Sequence, residues 1–432
     1  TAVISLATGI FFGLAPLVGA KRFSSGESLK HSVRVAGATH SRLRNALAVA
    51  QIAIAIVLLI GAGLMAKSLW ALLNVSPGFR ADNILTARLS LPPLRYPDNK
   101  KIVAFERALL DTLDRRPGVQ SAGLATYLPL GGLDNDSSFL IEGRPPLPVG
   151  MYNPAEYRPA SAGYFEAIGI PVRRGRSFKP GDTADAPWVI VINESMAREY
   201  WKGQDPIGSR LQLGPKDPWR TVIGVVGDVH FDGLDGATKP EMYLPMDQSF
   251  NTESGPTIVV RTALDPGSAT RELRATLTAM DRTIAVDRIQ TMEQVVSGSV
   301  AQPRFRTVIL AAFSLLALVM ASIGIYGVMN YLVVQRMREF AIRMSMGATR
   351  AEVLRLVLSR AAALIGAGTF LGLVGSVGLA RVIMGLLFAT APLDPLTFAA
   401  APLLLAAVAL AASYLPASRA TRVDPMVALR CE

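Results

Sequence analysis

The sequence has few of the residues from which catalytic and metal sites are usually built. Only one of its 432 residues is a cysteine, Cys431, and only three are histidines. A lone cysteine excludes an internal disulfide, a four-cysteine zinc site and an iron–sulfur cluster within the chain. The histidines (His31, His40 and His230) show no HExxH or similar ligand spacing, which argues against a zinc hydrolase.

Charged residues are also scarce, at 18 % of the chain against roughly a quarter in an average soluble protein. The mean hydropathy is +0.35 and the net charge is +11. Residues 75–303 carry 25 Lys and Arg against 27 Asp and Glu, whereas the rest of the chain carries 19 against 6. A basic excess confined to apolar regions is typical of a membrane protein and not of a nucleic-acid-binding face. We therefore expect a membrane context and no nucleic-acid partner.

Five apolar runs are long enough for a membrane crossing, which needs about 20 apolar residues. They are residues 2–20, 46–66, 308–334, 361–388 and 396–415. Segments 21–45, 335–360 and 416–432 are rich in Arg and Lys, and basic loops stay in the cytoplasm. Residues 75–303 are then extracytoplasmic. The first run is predicted to be a crossing and not a signal peptide, because basic residues follow it instead of preceding it.

The extracytoplasmic region contains two strand–helix–strand patterns. The predicted elements are 84–89, 101–115 and 120–126 in the first pattern, and 257–261, 267–280 and 286–291 in the second. Two such units predict a split ferredoxin-like sandwich with halves at 80–126 and 256–295. Residues 127–255, between the halves, are predicted to form an inserted β-rich lobe with many Gly and Pro turns.

No motif in this region indicates catalysis. Five aspartates near Gly and Pro are interpreted as turn formers: Asp182, Asp185, Asp228, Asp232 and Asp235. His230 is interpreted as a residue at a strand end. Residues 61–68 resemble a phosphate-binding loop, but Ala66 replaces its second glycine and the segment lies in an apolar helix. We predict no catalytic residue, no metal site, no bound cofactor and no enzyme activity.

A short amphipathic helix is predicted in the cytoplasmic segment between the third and fourth runs. Its apolar stripe consists of Met337, Phe340, Ala341 and Met344. Gly347 is suited to end this helix, and Thr349 with Glu352 forms a capping box for the next one. Such a helix fits either a partner's groove or an anionic lipid surface, and the pattern alone leaves both open.

Several stretches resemble the FtsX-like permeases of ABC transporters and their MacB-type periplasmic core domain. Residues 339–349 resemble the cytoplasmic loop motif of these permeases, with Ala341 in place of the usual glycine. The stretches that resemble the core domain are 163–176, 191–194, 205–208 and 222–228. Residues 420–425 resemble the family's last cytoplasmic tail, so the resemblance covers nearly the whole chain in the expected order.

The resemblance implies a multi-domain membrane protein, with an α-helical transmembrane bundle and an α+β extracytoplasmic core domain. The implied segments are a first helix at 46–74, the core domain at 75–303, a permease domain at 304–417 with helices 304–334, 353–388 and 396–416, and a tail at 418–432. Residues 1–20 would be the last helix of a preceding copy of the module, joined by the basic linker 21–45. Pro16, Ala20 and Arg22 recur as Pro416, Ala420 and Arg422. The parent would be a duplicated permease like those of soil acidobacteria.

The resemblance further implies a separate ATPase that binds the cytoplasmic loop in a bacterial inner membrane. The implied contact residues are Met337, Glu339, Phe340, Ile342, Arg343, Gly347 and Ala348. A second permease module is implied as a partner, and a periplasmic adaptor or outer-membrane channel is left open. The implied function is efflux-type mechanotransmission. The alternative is an FtsX-like subunit that activates a cell-wall hydrolase and transports nothing.

Small residues recur every four positions along one face of the fourth run. They are Gly368, Gly372, Ser376 and Ala380. Small side chains at this spacing let two membrane helices approach closely. We predict that this face packs against another transmembrane helix.

Overall fold

The computed structural model describes residues 32–420, apart from 133–134, 146–147, 149–150, 250–254 and 264–265. The predicted crossing at 1–20, the linker up to residue 31 and the tail beyond residue 420 lie outside the described residues. Two compact units are present. The first, here called the helical unit, comprises the described residues up to Leu64, Ile309–Leu386 and the described residues from Ala391 to Ala420. The second, here called the large domain, comprises Met65–Val308 and Leu387–Thr390.

The described part of the chain forms α-helices and β-strands that are numbered here in chain order. The helices are α1 (Ser32–Leu73), α2 (Asn99–Asp114), α3 (Tyr164–Ile168), α4 (Glu194–Trp201), α5 (Pro266–Met280), α6 (Met292–Ser299), α7 (Ala301–Gln335), α8 (Met337–Ser345), α9 (Arg350–Ile383) and α10 (Pro395–Ala420). The strands are β1 (Ile84–Ser90), β2 (Val119–Ala125), β3 (Asp136–Ile141), β4 (Asn153–Ala160), β5 (Val172–Gly175), β6 (Val189–Asn193), β7 (Arg210–Gln212), β8 (Arg220–Val226), β9 (Glu241–Pro245), β10 (Thr257–Thr262) and β11 (Ala285–Thr291).

Four described helices are long and apolar enough to cross a membrane. These spans are Arg42–Leu73, Ala301–Gln335, Arg350–Leu386 and Pro395–Ser418. The shortest has 24 residues, which at a rise of 1.5 Å per residue exceeds a hydrocarbon core of about 30 Å. Helix α1 begins at Ser32, so residues 32–45 of the predicted linker are part of the first long helix. No proline interrupts residues 32–45, and the helix therefore continues through these polar positions.

One half of the large domain is a four-stranded antiparallel sheet in the order β11-β1-β10-β2. Helix α2 connects β1 to β2, and helix α5 connects β10 to β11. This order and these crossovers are those of a split, ferredoxin-like β-α-β sandwich. Its apolar core includes Leu85, Leu109, Leu124, Ile258 and Leu277.

The strand ladder between the inserted lobe and this sheet is a single residue pair, Ala125 of β2 with Ala160 of β4. A shared apolar core, which includes Phe165, Val191 and Val259, also joins the two parts. Strands β4-β3-β7-β8-β6-β9 follow in order, and β9 pairs in parallel with β4. These six strands therefore close on themselves as a small barrel, which leaves no free edge among them. Strand β5 pairs with β8 outside this ring. The barrel core contains Ile190, Ile192, Trp201, Leu211 and Met242.

Candidate functional site

Helix α8, here called the hairpin helix, connects α7 to α9 and is fixed at both ends by local capping. Gly347 has φ +98°, and the amide of Ala348 donates to the carbonyl oxygen of Arg343 at 3.0 Å. This is the Schellman arrangement that favours glycine just beyond a helix C-terminus. The hydroxyl of Thr349 accepts from the amide of Glu352, whose carboxylate accepts in turn from the amide of Thr349. The hairpin helix therefore ends sharply and α9 begins at a defined residue.

The exposed face of the hairpin helix carries an ion pair. The Arg343 guanidinium donates to the Glu339 carboxylate at 2.7 Å, and Arg336 approaches the same carboxylate at 3.7 Å. These side chains are 36 % (Arg336), 41 % (Glu339) and 53 % (Arg343) exposed. An exposed i,i+4 pair contributes only about 0.3–0.5 kcal/mol to helix stability. The pair therefore does little for stability, and its charges face outward.

The predicted contact residues fall into two groups in the structure. Phe340 is 3 % exposed and lines a cleft with Met329 and Leu332 of α7 and Leu356 and Val357 of α9. Phe340 therefore anchors the hairpin helix to α7 and α9. The remaining predicted residues with described side chains are at least partly exposed: Met337, Glu339, Ile342, Arg343, Gly347 and Ala348.

Sequence reasoning missed Met346, which is 83 % exposed beside Ile342, exposed to 44 %. The predicted apolar stripe includes Met337 and Met344 and does not include Met346. Because Met346 follows the last helical residue, the helical period no longer determines which way it points. Together with Ile342 it adds an apolar patch next to the ion pair.

The face of small residues on α9 lies against α1. A Cβ added at Gly368 would come within 2.5 Å of Cγ2 of Ile52, and one added at Gly372 within 2.6 Å of Cβ of Ile56. Ser376 and Ala380 continue the same face and are each 1 % exposed. Residue numbers rise together along both helices, so α1 and α9 run parallel here. Their backbones are close enough that only a hydrogen fits at these glycines.

Two further contacts hold the helical unit together. A Cβ added at Gly63 of α1 would lie 2.7 Å from Cγ2 of Thr397 on α10. The hydroxyl of Ser314 on α7 donates to the carbonyl oxygen of Leu58 at 2.8 Å. Gly63 belongs to the segment that resembles a phosphate-binding loop, and its structural role is helix packing.

The aspartates of the large domain serve local structure. Asp182 accepts from the amide of Lys179 and pairs with Arg176 at 2.7 Å, and Asp228 accepts from the amide of Ser195 at the start of α4. His230 lies four residues beyond β8 and not at its end; its Nδ1 is 2.9 Å from the carbonyl oxygen of Gly236. Among the described residues, no group of three or more His, Cys, Asp or Glu side chains could hold a metal ion.

Four membrane-spanning helices and an α+β domain define the class of protein. The MacB-like periplasmic core domain matches residues 46–280, and the FtsX-like permease C-terminal domain matches residues 311–425. The chain is therefore an ABC transporter permease. Within that class it belongs to the MacB- and FtsX-like family.

Named relatives are identical to the chain at about a quarter of the aligned positions. YknZ of Bacillus subtilis, an uncharacterized ABC transporter permease, is 26 % identical over 62 % of this chain and 68 % of its own length. The macrolide export ATP-binding/permease protein MacB of Azoarcus sp. is 28 % identical over 62 % of this chain and 41 % of its own. The chain thus spans about two-fifths of the length of the MacB relatives it matches.

Two solved structures align with about half of this chain. The periplasmic region of MacB from Actinobacillus actinomycetemcomitans aligns with 53 % of this chain and 97 % of its own, at 16 % identity and a TM-score of 0.36. The extracellular domain of YknZ aligns with 47 % of this chain and all of its own, at 16 % identity and a TM-score of 0.31.

Proposed function

We propose that the protein is the permease of an efflux-type ABC machine in a bacterial inner membrane, driven by a separate ATPase. The observation that carries the proposal is the hairpin helix. It is capped at both ends, anchored by Phe340, and exposes Ile342, Arg343 and Met346 as a mixed apolar and charged surface. The excess of arginine around it supports a cytoplasmic position. The large domain then lies in the periplasm.

The proposed mechanism is mechanical. When the ATPase closes, it displaces the hairpin helix, and Phe340 passes this displacement to α7 and α9. The close packing of α9 on α1 at Gly368 and Gly372 extends it to the helix that leads into the large domain. Charged residues of the described spans, such as Lys67 and Arg381, lie near span ends, which favours transmitted motion over a polar substrate path.

Two further features belong to the same proposal. The run at 1–20 would be the last helix of a preceding permease module, so that the working unit contains two modules. A periplasmic adaptor or outer-membrane channel would receive the exported compound. Neither feature alters the role of the hairpin helix.

The test is affinity purification of the full-length parent from its own membranes in mild detergent, with mass spectrometry and an ATPase assay. We expect a nucleotide-binding subunit to co-purify and its hydrolysis to be stimulated. Glu339→Arg and Arg343→Glu should each lower stimulation about tenfold, equivalent to 1.4 kcal/mol of coupling. The double variant, with Glu339→Arg and Arg343→Glu together, keeps an ion pair within the helix. If ATPase stimulation is still lost in this variant, the cause is partner recognition and not helix stability.

A matched control is available in the large domain. Arg210 and Glu142 form an exposed pair at 2.9 Å, and its reversal should leave stimulation unchanged. Absence of any ATPase, or full stimulation in the Glu339 and Arg343 variants, would contradict the proposal. Recovery of a cell-wall hydrolase in place of an adaptor or lipophilic cargo would favour the FtsX-like alternative.

A further inference from the structure

One loop of the inserted lobe contacts the end of α1. This loop, here called the junction loop, comprises residues 227–240 between β8 and β9. Connecting loops are usually exposed and mobile. The junction loop instead buries Val229 (1 % exposed), Phe231 (7 %) and Leu234 (4 %). A loop that buries three apolar side chains is held in place by its contacts.

The first set of contacts is with the segment that leaves α1. The amide of His230 donates to the carbonyl oxygen of Pro77 at 3.0 Å. Gly78 has φ +88°, and a Cβ added there would collide with the carbonyl oxygen of Asp228. Leu234 packs against Leu72, the penultimate residue of α1. The exit of α1 and the junction loop are therefore in direct backbone contact.

The second set of contacts fixes the loop to the inserted lobe. The guanidinium of Arg158 on β4 stacks over the ring of Phe231, 3.4 Å from its centroid. The ammonium group of Lys239 pairs with the carboxylate of Glu156, also on β4, at 3.0 Å. The Thr238 hydroxyl is 3.0 Å from that of Ser195 at the start of α4. Displacing the loop from the lobe would remove the buried Phe231 ring from Arg158 and the half-exposed ammonium group of Lys239 from the buried carboxylate of Glu156, which is unfavourable.

Leu72 and Leu234 belong to an apolar cluster that also contains residues from the other chain segments entering the large domain. Val300, immediately before α7, and Phe388, between α9 and α10, pack with Leu72 and Leu234. The amide of Phe388 also donates to the hydroxyl of Ser68 on α1 at 2.8 Å. Leu234 is the member of this cluster that the junction loop contributes.

We propose that the junction loop is the coupling element that carries displacement of α1 into the inserted lobe, with Leu234 and Gly78 as its positioning residues. The inference rests on the proposed function, because it assumes ATP-driven displacement of α1. The physical argument is that the junction loop is fixed at both ends, by backbone contact with the exit of α1 and by packing against the lobe. The lobe also shares one ladder pair and an apolar core with the ferredoxin-like half. The junction loop adds a direct path from the exit of α1 to the lobe.

The experiment measures the distance between the inserted lobe and the ferredoxin-like half in the full-length protein with its ATPase. Spin labels are placed at the exposed positions Glu199→Cys on α4 and Asp111→Cys on α2, after Cys431→Ser. Pulsed electron paramagnetic resonance compares the label distance with and without a non-hydrolysable ATP analogue. We expect a nucleotide-dependent change that Leu234→Ala reduces to less than half, with ATPase stimulation retained.

The controls separate coupling from general loss of stability. Leu211→Ala removes an equally buried leucine from the barrel core and should keep the nucleotide-dependent change. Gly78→Ala should abolish the change, whereas Gly143→Ala, at φ +79° with nothing within 4 Å, should not. Leu234→Val is the smaller truncation if the alanine variant does not fold, and it should give a partial reduction.

The outcomes are distinguishable. An unchanged distance shift in Leu234→Ala or Leu234→Val overturns the inference while leaving the proposed function intact. Stimulated ATPase activity without any shift in the unmodified protein also overturns it. Absence of ATPase stimulation in the unmodified protein contradicts the proposed function itself, and the inference with it.

Discussion

At the scale of single residues, Glu106 is a carboxyl group buried in the large domain. It lies on α2, is 5 % exposed and lines a small cavity with Leu91, Ile102 and Met246. Burial, and secondarily the charge of Asp247, raises its pKa to about 8. At neutral pH this side chain therefore keeps its proton in the folded protein.

The raised pKa predicts a pH-dependent contribution to stability. The folded state holds this proton up to about pH 8, whereas the unfolded state loses it near pH 4.5. The contribution is therefore fully present below pH 4.5 and is lost as the pH rises towards 8. Glu106→Gln removes this dependence. Relative to the unmodified protein, the free energy of unfolding of this variant should therefore rise by up to about 1.4 kcal/mol per pH unit between pH 5 and 8.

Tryptophan fluorescence during denaturant unfolding in detergent is the measurement. All four tryptophans lie in the large domain: Trp70, Trp188, Trp201 and Trp219. The signal therefore reports the unit that contains Glu106. The exposed residue Glu142 supplies the control variant, Glu142→Gln. A stability difference that stays constant from pH 5 to 8 would show that Glu106 is charged in the folded state.

At the scale of elements, the packing of α9 on α1 depends on which glycine of α9 is considered. Gly372 faces Ile56 and the carbonyl oxygen of Ala53, whereas Gly378 has nothing within 4 Å of an added Cβ. The two residues lie in the same helix and would undergo the same chemical change. They form a matched pair for testing the predicted small-residue face.

We expect Gly372→Ala to destabilise the helical unit by roughly 1–3 kcal/mol, because the added methyl group forces the two helices apart. Gly378→Ala should be neutral or stabilising, since alanine favours a helix by about 1 kcal/mol over glycine. Thermal unfolding in detergent, followed by the helical circular dichroism signal, measures both. Equal effects at the two positions would mean that α1 and α9 are not in close contact.

The hairpin helix shows which features of an element are predictable from sequence. Its end at Gly347 and the capping box of Thr349 depend on residues within one turn, and both are present where the pattern places them. The position of Phe340 within the helical unit was not predictable in the same way. The helical period groups Phe340 with Met337 and Met344. Whether that face contacts a partner or the neighbouring helices depends on how α7 and α9 pack around the hairpin helix.

At the scale of the whole molecule, the distribution of charge sets the predicted topology. The excess of basic residues lies in the segments on one side of the apolar spans, and the large domain has nearly balanced charge. The single cysteine, Cys431, belongs to the predicted cytoplasmic tail, which lies outside the described residues. It therefore offers a natural label for one side of the membrane.

We expect a membrane-impermeant thiol reagent to leave Cys431 unmodified in intact spheroplasts and to modify it after permeabilisation. The variant Asp111→Cys with Cys431→Ser should be modified in intact spheroplasts, because α2 belongs to the large domain. Mass spectrometry of the labelled protein measures both. Modification of Cys431 before permeabilisation would reverse the proposed orientation.

The amino-acid sequence by itself determined the four described membrane spans, the small-residue face of α9 and the caps of the hairpin helix. Each of these depends on hydrophobicity or on residues within a few positions of one another. Only the tertiary structure decided that the six strands of the inserted lobe close into a barrel, that Phe340 packs inward, and that the junction loop meets the exit of α1. The barrel closure and the junction-loop contact join residues about 80 to 160 positions apart, and the packing of Phe340 depends on how α7 and α9 lie around the hairpin helix. Their geometry results from tertiary packing and not from residues within one turn.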